Sequence, residues 1–357
     1  MTAATRPASV RSDAFELTVV EVVQETADAV SIEFEVPAEL VERCRYRPGQ
    51  FLTLRVPVGE SSLARCYSLS SSPHLDDVLA VTVKRVSDGR ASNWLCDNVR
   101  PGDRLTALAP SGRFHPTSLD VDLLLVAAGS GITPVMSILT SALIGGTASV
   151  HLLYANSGVD AVIFGADLTD MAEEYPDRLT VEHWLESERG RPTVDAFSQR
   201  FGGLGARDAY VCGPGPFMEL AEAALSQVGF RPERVHVERF RSLGGDPFLD
   251  HRGPDQNGPS DSGDDVEPVE LEVVVGGMRR TLAWKRHRTM LDTVLDAGLD
   301  VPYSCREGAC SSCVCTVRGG EVRMLVDDTL TDADRLAGVT LACQAIPVSD
   351  SVHAVFE

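Results

Sequence analysis

Nine cysteines occur in this chain, and four of them fall in the twelve-residue stretch SCREGACSSCVC, Ser304 to Cys315. Crowded thiols open three chemistries: a disulfide, a zinc knot or an iron–sulfur cluster. The spacing separates them. Cys305-x4-Cys310-x2-Cys313 is followed, after 29 residues, by Cys343. Zinc sites usually pair two C-x2-C knuckles, and this stretch has one. C-x4-C-x2-C…C is the spacing that puts four thiolates on a [2Fe–2S] cluster, two per iron. Gly308 lies inside the loop, where a flexible backbone can turn its N–H groups toward the sulfurs and stabilise the cluster's negative charge. Cys315 is then the spare thiol, expected to be buried at the start of a strand. Cys44, Cys66 and Cys96 are scattered and read as small core residues.

Further upstream, three glycine-bearing turns carry a different chemistry. AAGSGITP places Gly129, Gly131, Thr133 and Pro134 between an apolar run and a helical pattern. The glycines let a backbone approach a pyrophosphate, and Thr133 would face a nicotinamide. This is G-x-G-x-x-P rather than the dinucleotide G-x-G-x-x-G. CGPGPFM repeats the turn geometry with Cys212, Gly213 and Pro214, and Cys212 would sit near a hydride-transfer site. DGRASNWL sets Gly89, Ser92 and Asn93 at a turn opening a helix, whose N–H groups and dipole suit a phosphate. About 25 residues earlier stands Arg65-x-Tyr67-Ser68, a motif that means little alone.

These residues need elements to hold them. Residues 12–118 read as short strands (FELTVVEVVQ, VSIEFEVP, QFLTLRVPV, LAVTVKRVS) separated by Gly, Pro and Asp, which suggests a small antiparallel barrel. From 119 to 243 strands alternate with helices, the pattern of a parallel α/β sheet. Residues 244–268 are rich in Gly, Pro, Asp and Ser and read as an acidic flexible linker. Residues 269–357 form a last domain, with a hairpin around Gly276 and Gly277, a short helix stopped by Gly298, then the cysteine loop. The expected fold is therefore multidomain: an antiparallel β-barrel, an α/β parallel-sheet nucleotide domain and a small α+β domain.

Composition narrows the function further. The net charge is −20, from 52 acidic and 32 basic residues, which argues against nucleic-acid binding. No apolar run reaches the roughly 18–20 residues a membrane span needs. The first residues lack a signal-peptide apolar core, so a cytoplasmic location is expected, where clustered thiols favour metal chemistry over staples. After LLYAN no Arg or Lys occurs before Arg178. A 2′-phosphate would want such a cation, so NADH is favoured over NADPH.

With these motifs in order, the chain resembles the flavin–ferredoxin reductases of bacterial oxygenases over essentially its full length. ARCYSLSSSP, ASNWLCD, AAGSGITP, YPDRLTVEHWLES, CGPGPFM and LACQAIPVSDSV are the strings that carry the likeness. They are most similar to those of reductases serving 3-ketosteroid 9α-hydroxylation. The resemblance implies FAD held by Arg65, Tyr67 and Ser68, with Gly89, Ser92 and Asn93 at its pyrophosphate. It also brings Val83, Lys84, Glu238 and Phe240 near the flavin. It implies NADH at Gly129, Gly131, Thr133, Pro134, Cys212, Gly213 and Pro214. The C-terminal domain becomes a β-grasp, plant-type [2Fe–2S] ferredoxin with Cys305, Cys310, Cys313 and Cys343 as ligands. Ferredoxin loops commonly carry Gly after the second cysteine, and here Ser311 and Ser312 stand there.

The implied partner is a Rieske-type terminal oxygenase, and the chain is expected to be a monomer. Hydride transfer would be placed by Ser68, Thr133 and Cys212 without a catalytic acid or base, since His115, His151 and His183 fall on separate segments. The linker would let the ferredoxin domain move, and the face around Arg306 to Ser312 would meet the oxygenase. The alternatives are a reductase of an aromatic-ring or phenylacetyl-CoA system, an FMN-binding variant, and a redox sensor or carrier without NADH activity.

Overall fold

The computed structural model describes residues 13–356 except 250–266, 328 and 331. The chain divides into two compact units, Phe15–Phe240 and the segment from Arg241 onward.

The first unit opens with a six-stranded antiparallel sheet. Its order is Ser61–Ser68, Phe51–Val58, Arg104–Ser111, Phe15–Thr26, Ala29–Glu35, Leu79–Lys84. A bridge between Leu69 and Val81 joins the two outer strands, so the sheet curls into the expected barrel. The alternation in FELTV explains the first strand: Phe15, Leu17 and Val19 point inward and their neighbours outward. Ile32, Leu52, Leu54, Leu69 and Val81 complete a dry core. Helix Arg90–Asn98 buries Ala91 and Leu95 against it.

Five parallel strands follow, ordered Val235–Glu238, Asp208–Cys212, Leu123–Ala128, Val150–Asn156, Leu179–Leu185. The central run LLLVAA is buried throughout, as a strand covered on both faces must be. Helix Ile132–Gly145 packs on one face and helix Gly215–Gln227 on the other. Within DAVIFGADLTDMAEEYP the α-helix covers only Gly165–Glu174. Phe164 sits at φ 59° and breaks the path ahead of it. Helix Val194–Phe201 adds to the expected pattern. Thr193 caps it, its hydroxyl accepting from the N–H of Ala196.

The second unit holds a five-stranded sheet: Met278–Trp284, Val269–Val275, Ser351–Phe356, Val314–Gly319, Val339–Leu341. Val269–Val275 and Ser351–Phe356 run parallel, and helix Met290–Asp296 buries Met290, Leu291 and Val294 in the same core. Gly276 and Gly277 turn the hairpin at φ 55° and 79°, the left-handed pair a two-residue turn demands. Of the expected linker, residues 250–266 lie outside the described residues. Its start is not free-standing: Pro247 and Phe248 are buried, as is Leu243 just before it. No described helix is long and apolar enough to cross a membrane.

Candidate functional site

In the second unit the four predicted sulfur ligands come together as two pairs. A thiol–thiol hydrogen bond links Cys305 with Cys310, and another links Cys313 with Cys343. Within each pair one sulfur is held toward the thiolate by its partner's proton, Cys310 in the first and Cys343 in the second. Among the described residues no three His, Cys, Asp or Glu side chains converge on one metal ion. A binuclear cluster asks for two ligands per iron, which is the grouping seen.

Backbone donors surround the sulfurs. The N–H of Cys305 points to Cys310 Sγ, that of Glu307 to Cys305 Sγ and that of Cys343 to Cys313 Sγ, each at 3.4 Å. Such donors favour a negatively charged cluster, so this donor set fits [2Fe–2S]. Gln344 belongs to no motif of its own, yet its Nε2 lies 3.4 Å from Cys343 Sγ and 3.1 Å from the Arg306 carbonyl. Its position beside a ligand was the available signal. The loop's path requires left-handed residues at Arg306, Gly308 and Ser311. Ser311 thus adopts, at φ 53°, the conformation a glycine would take without strain.

Two expectations for this loop are refined. Cys315 is buried with its thiol on Met290 Sδ, and burial pushes that thiol up to about 12. The charges at Arg306 and Glu307 are engaged inside the unit. Arg306 pairs with Asp292 and lies over the Tyr303 ring, and Glu307 accepts from the N–H groups of Gly244 and Gly245. Beside the loop, two apolar side chains are exposed, Leu325 at 54% and Val326 at 40%.

The flavin and nicotinamide motifs share the first unit. Arg65, Tyr67 and Ser68 lie at the end of strand Ser61–Ser68, one residue before the Leu69–Val81 bridge. Ser68 is buried, and burial raises the Tyr67 phenol well above its ordinary range. Gly89 caps helix Arg90–Asn98, and a Cβ there would come within 2.5 Å of Ser92 Oγ. Asn93 Oδ1 is buried without a hydrogen-bond partner. A buried amide without a protein partner fits a site completed by a ligand, with the amide turned to offer its NH2 where that ligand is a phosphate. Val83 turns its side chain into the barrel core, leaving only its backbone for a cofactor, and Lys84 pairs with Asp28 at 3.5 Å. Phe240 is exposed at the unit's last residue.

Strands Leu123–Ala128 and Asp208–Cys212 are neighbours, and the chain order reverses between them. Ligands of open α/β sheets bind outside the strand ends at such a switch point. Gly129, Gly131, Thr133 and Pro134 follow the first strand, and Gly213 and Pro214 follow the second. A Cβ on Gly131 would lie 2.1 Å from the Cys212 carbonyl oxygen. Only glycine allows this approach, which is what unites the two motifs. Thr133 is buried and donates its hydroxyl to the Ser130 carbonyl at 3.0 Å. Cys212 is fully buried and its thiol is pushed far up by burial, so it acts here as a small apolar wall.

Arg178, the first cation after LLYAN, is occupied. Its guanidinium donates to the carbonyls of Ala142, Leu143, Gly146 and Ala148. It caps the C-terminal end of helix Ile132–Gly145 rather than waiting for a phosphate.

Hydroxyls bolt the barrel to the nucleotide domain. Ser137 Oγ donates to the Ser71 carbonyl at 2.5 Å, and Ser72 Oγ meets Ser141 Oγ at 2.8 Å. A hydrogen-bonded ladder then runs Ser70–Thr82–Ser31–Glu25. Burial raises the pKa of Glu25, opposed by the Ser31 hydroxyl and reinforced by Asp167. A raised carboxyl pKa means the fold disfavours the ionised form. That penalty is absent below the ordinary Glu range of about 4.3 and appears as pH rises through the folded value. Glu25→Gln is therefore expected to raise the Tm at about pH 8 but not at about pH 4. Thermal unfolding across that range checks it, and an equal shift at both ends would refute it.

Comparisons with known proteins agree with this geometry. Residues 16–115 match an oxidoreductase FAD-binding domain, 125–223 an oxidoreductase NAD-binding domain and 273–348 a 2Fe-2S iron-sulfur cluster binding domain. The ferredoxin reductase component of 3-ketosteroid-9-alpha-monooxygenase from Mycolicibacterium smegmatis is 51% identical over 97% of this chain and 98% of its own. A component of the 1,2-phenylacetyl-CoA epoxidase from Escherichia coli is 33% identical over 96% and 97%. Phthalate dioxygenase reductase shares the fold, with a TM-score of 0.55 at 23% identity over 96% of this chain and 98% of that one.

Proposed function

The chain belongs to the family of ferredoxin reductase components of 3-ketosteroid-9-alpha-monooxygenases, and from that premise we propose that it passes electrons from NADH to a Rieske-type oxygenase acting on 3-ketosteroids. It is the electron-transfer component of a monooxygenase system, with FAD-, NAD- and [2Fe–2S]-binding domains in one chain. The observation that carries the proposal is the pairing of four cysteine sulfurs in a chain that also brings Gly131 against Cys212.

Bound flavin supplies the conversion of a two-electron hydride into single electrons for the cluster. The protein's part is position. Arg65, Tyr67, Ser68 and the Gly89–Asn93 turn would seat the flavin. Gly129, Gly131 and Pro134 would seat the pyrophosphate of NADH, with Thr133 and Cys212 forming the wall behind the nicotinamide. The bonds of Ser71 and Ser72 to helix Ile132–Gly145 fix the two seats relative to each other. Cys305 and Cys310 would hold one iron, Cys313 and Cys343 the other. Since no acid or base is required for hydride transfer, the buried hydroxyls of Ser68 and Thr133 serve orientation. We place the protein in the cytoplasm as a monomer.

The test is reconstitution. Purified protein should reduce cytochrome c with NADH, and kcat/KM should fall at least about tenfold with NADPH, the worth of one missing charge contact. Supplied with candidate terminal oxygenases, it should support turnover of 3-ketosteroids. Equal use of NADPH would overturn the coenzyme assignment. Turnover only with an aromatic-ring or phenylacetyl-CoA oxygenase would overturn the steroid assignment; the likeness to the epoxidase component favours including that arm.

A further inference from the structure

Glu307 sits where two hydrogen-bonded systems meet. Its backbone N–H lies 3.4 Å from Cys305 Sγ. Its carboxylate is gripped by two successive backbone N–H groups, Gly244 donating at 2.8 Å and Gly245 to the other oxygen. Those glycines begin the segment by which the chain enters the second unit, and Leu243, Pro247 and Phe248 anchor it by burial. Neither glycine has a left-handed φ. What Gly245 supplies is space: a Cβ would stand 2.4 Å from Glu307 Oε1, whereas on Gly244 it would stand 3.7 Å from Oε2.

We propose that Glu307 and Gly245 are positioning residues that couple the connecting segment to the cluster. Two effects follow from one grip. The paired N–H dipoles offset a carboxylate that would otherwise repel an electron arriving on the cluster. Holding the side chain also steadies the Glu307 N–H on Cys305 Sγ, and such a bond favours the reduced cluster. With the segment seated, the cluster takes an electron more readily; with it displaced, the cluster gives one up more readily. This rests on Cys305 being a cluster ligand.

Redox titration of the full-length holoprotein, followed by the EPR signal of the reduced cluster, tests the coupling. Gly245→Ala should move the reduction equilibrium about threefold to tenfold toward the oxidised form, the net worth of one ordinary hydrogen bond. Glu307→Gln in that background removes the charge and should restore most of the shift. Gly244→Ala, which keeps its N–H and has room, should leave the equilibrium where it was. An unmoved Gly245→Ala, or a shift that persists in the double variant, overturns the proposal. A second measurement does not depend on loading of Gly245→Ala. Amide hydrogen exchange at Gly244 and Gly245 should quicken about tenfold in Glu307→Ala, and unchanged exchange also overturns it. Wild-type protein without a [2Fe–2S] signal would instead sink the ligand assignment beneath it.

Discussion

Replacing Cys343 by serine is expected to strip the cluster and cut NADH-driven reduction of the oxygenase at least about 100-fold, while NADH–ferricyanide activity through the flavin stays within about twofold. Changes in the groups around a metal's ligands already cost about 10–100-fold, so loss of a thiolate itself should exceed that. Cys343 is buried and sends its own N–H to Cys313 Sγ at 3.4 Å. With the proposed ligand set, its removal would leave one iron with a single protein ligand. Cys315→Ser is the internal contrast. That thiol is equally buried, but it packs on Met290. The variant should keep its cluster and lose only about 1–3 kcal/mol of stability for burying a hydroxyl. Iron content, visible absorption and calorimetry distinguish the two. A fully loaded Cys343→Ser protein would refute the ligand set.

Gly131→Ala should lower kcat/KM for NADH about 100-fold and leave flavin and cluster content intact. The obstacle to a methyl group is the Cys212 carbonyl oxygen, 2.1 Å away. It is backbone and cannot swing aside as a side chain would. Relief requires helix Ile132–Gly145 to back off from the strand end, at a cost of about 1–3 kcal/mol or more. Misplacement by about 1 Å is enough to cost about 100-fold in a reaction governed by orientation. Gly215→Ala is a fair control, since nothing lies within 4 Å of its added Cβ. Stopped-flow reduction of the flavin by NADH measures the effect directly, while dithionite should still reduce the variant normally. Normal hydride transfer in Gly131→Ala would contradict the placement of the nucleotide.

Much of this was legible before any fold was known, because the relevant signals are local. Spacing alone grouped Cys305, Cys310, Cys313 and Cys343, and the Gly276–Gly277 hairpin and the Gly298 stop follow from single-residue conformational preferences. The contacts that crossed long stretches of chain were not legible. Nothing in the sequence around Arg178 marks it as a helix cap, nor Gly245 as the partner of a carboxylate 62 residues away. Ser311 in a left-handed conformation also runs against its own preference, which its sequence neighbours do not announce. Phe164 sets where helix Gly165–Glu174 begins for a similar reason: its left-handed φ interrupts the helical path.

The division of the chain at Phe240–Arg241 has a bearing on how such proteins diversify. A recombination event that exchanged ferredoxin modules would, judged by composition, be placed within the Gly-, Pro- and Asp-rich stretch. The bonds from Gly244 and Gly245 to Glu307 say otherwise. A breakpoint there would inherit the cluster loop without the segment fitted to it. A junction just before Arg241 keeps both together, and leaves the serine-bolted reductase half whole to be joined to new partners.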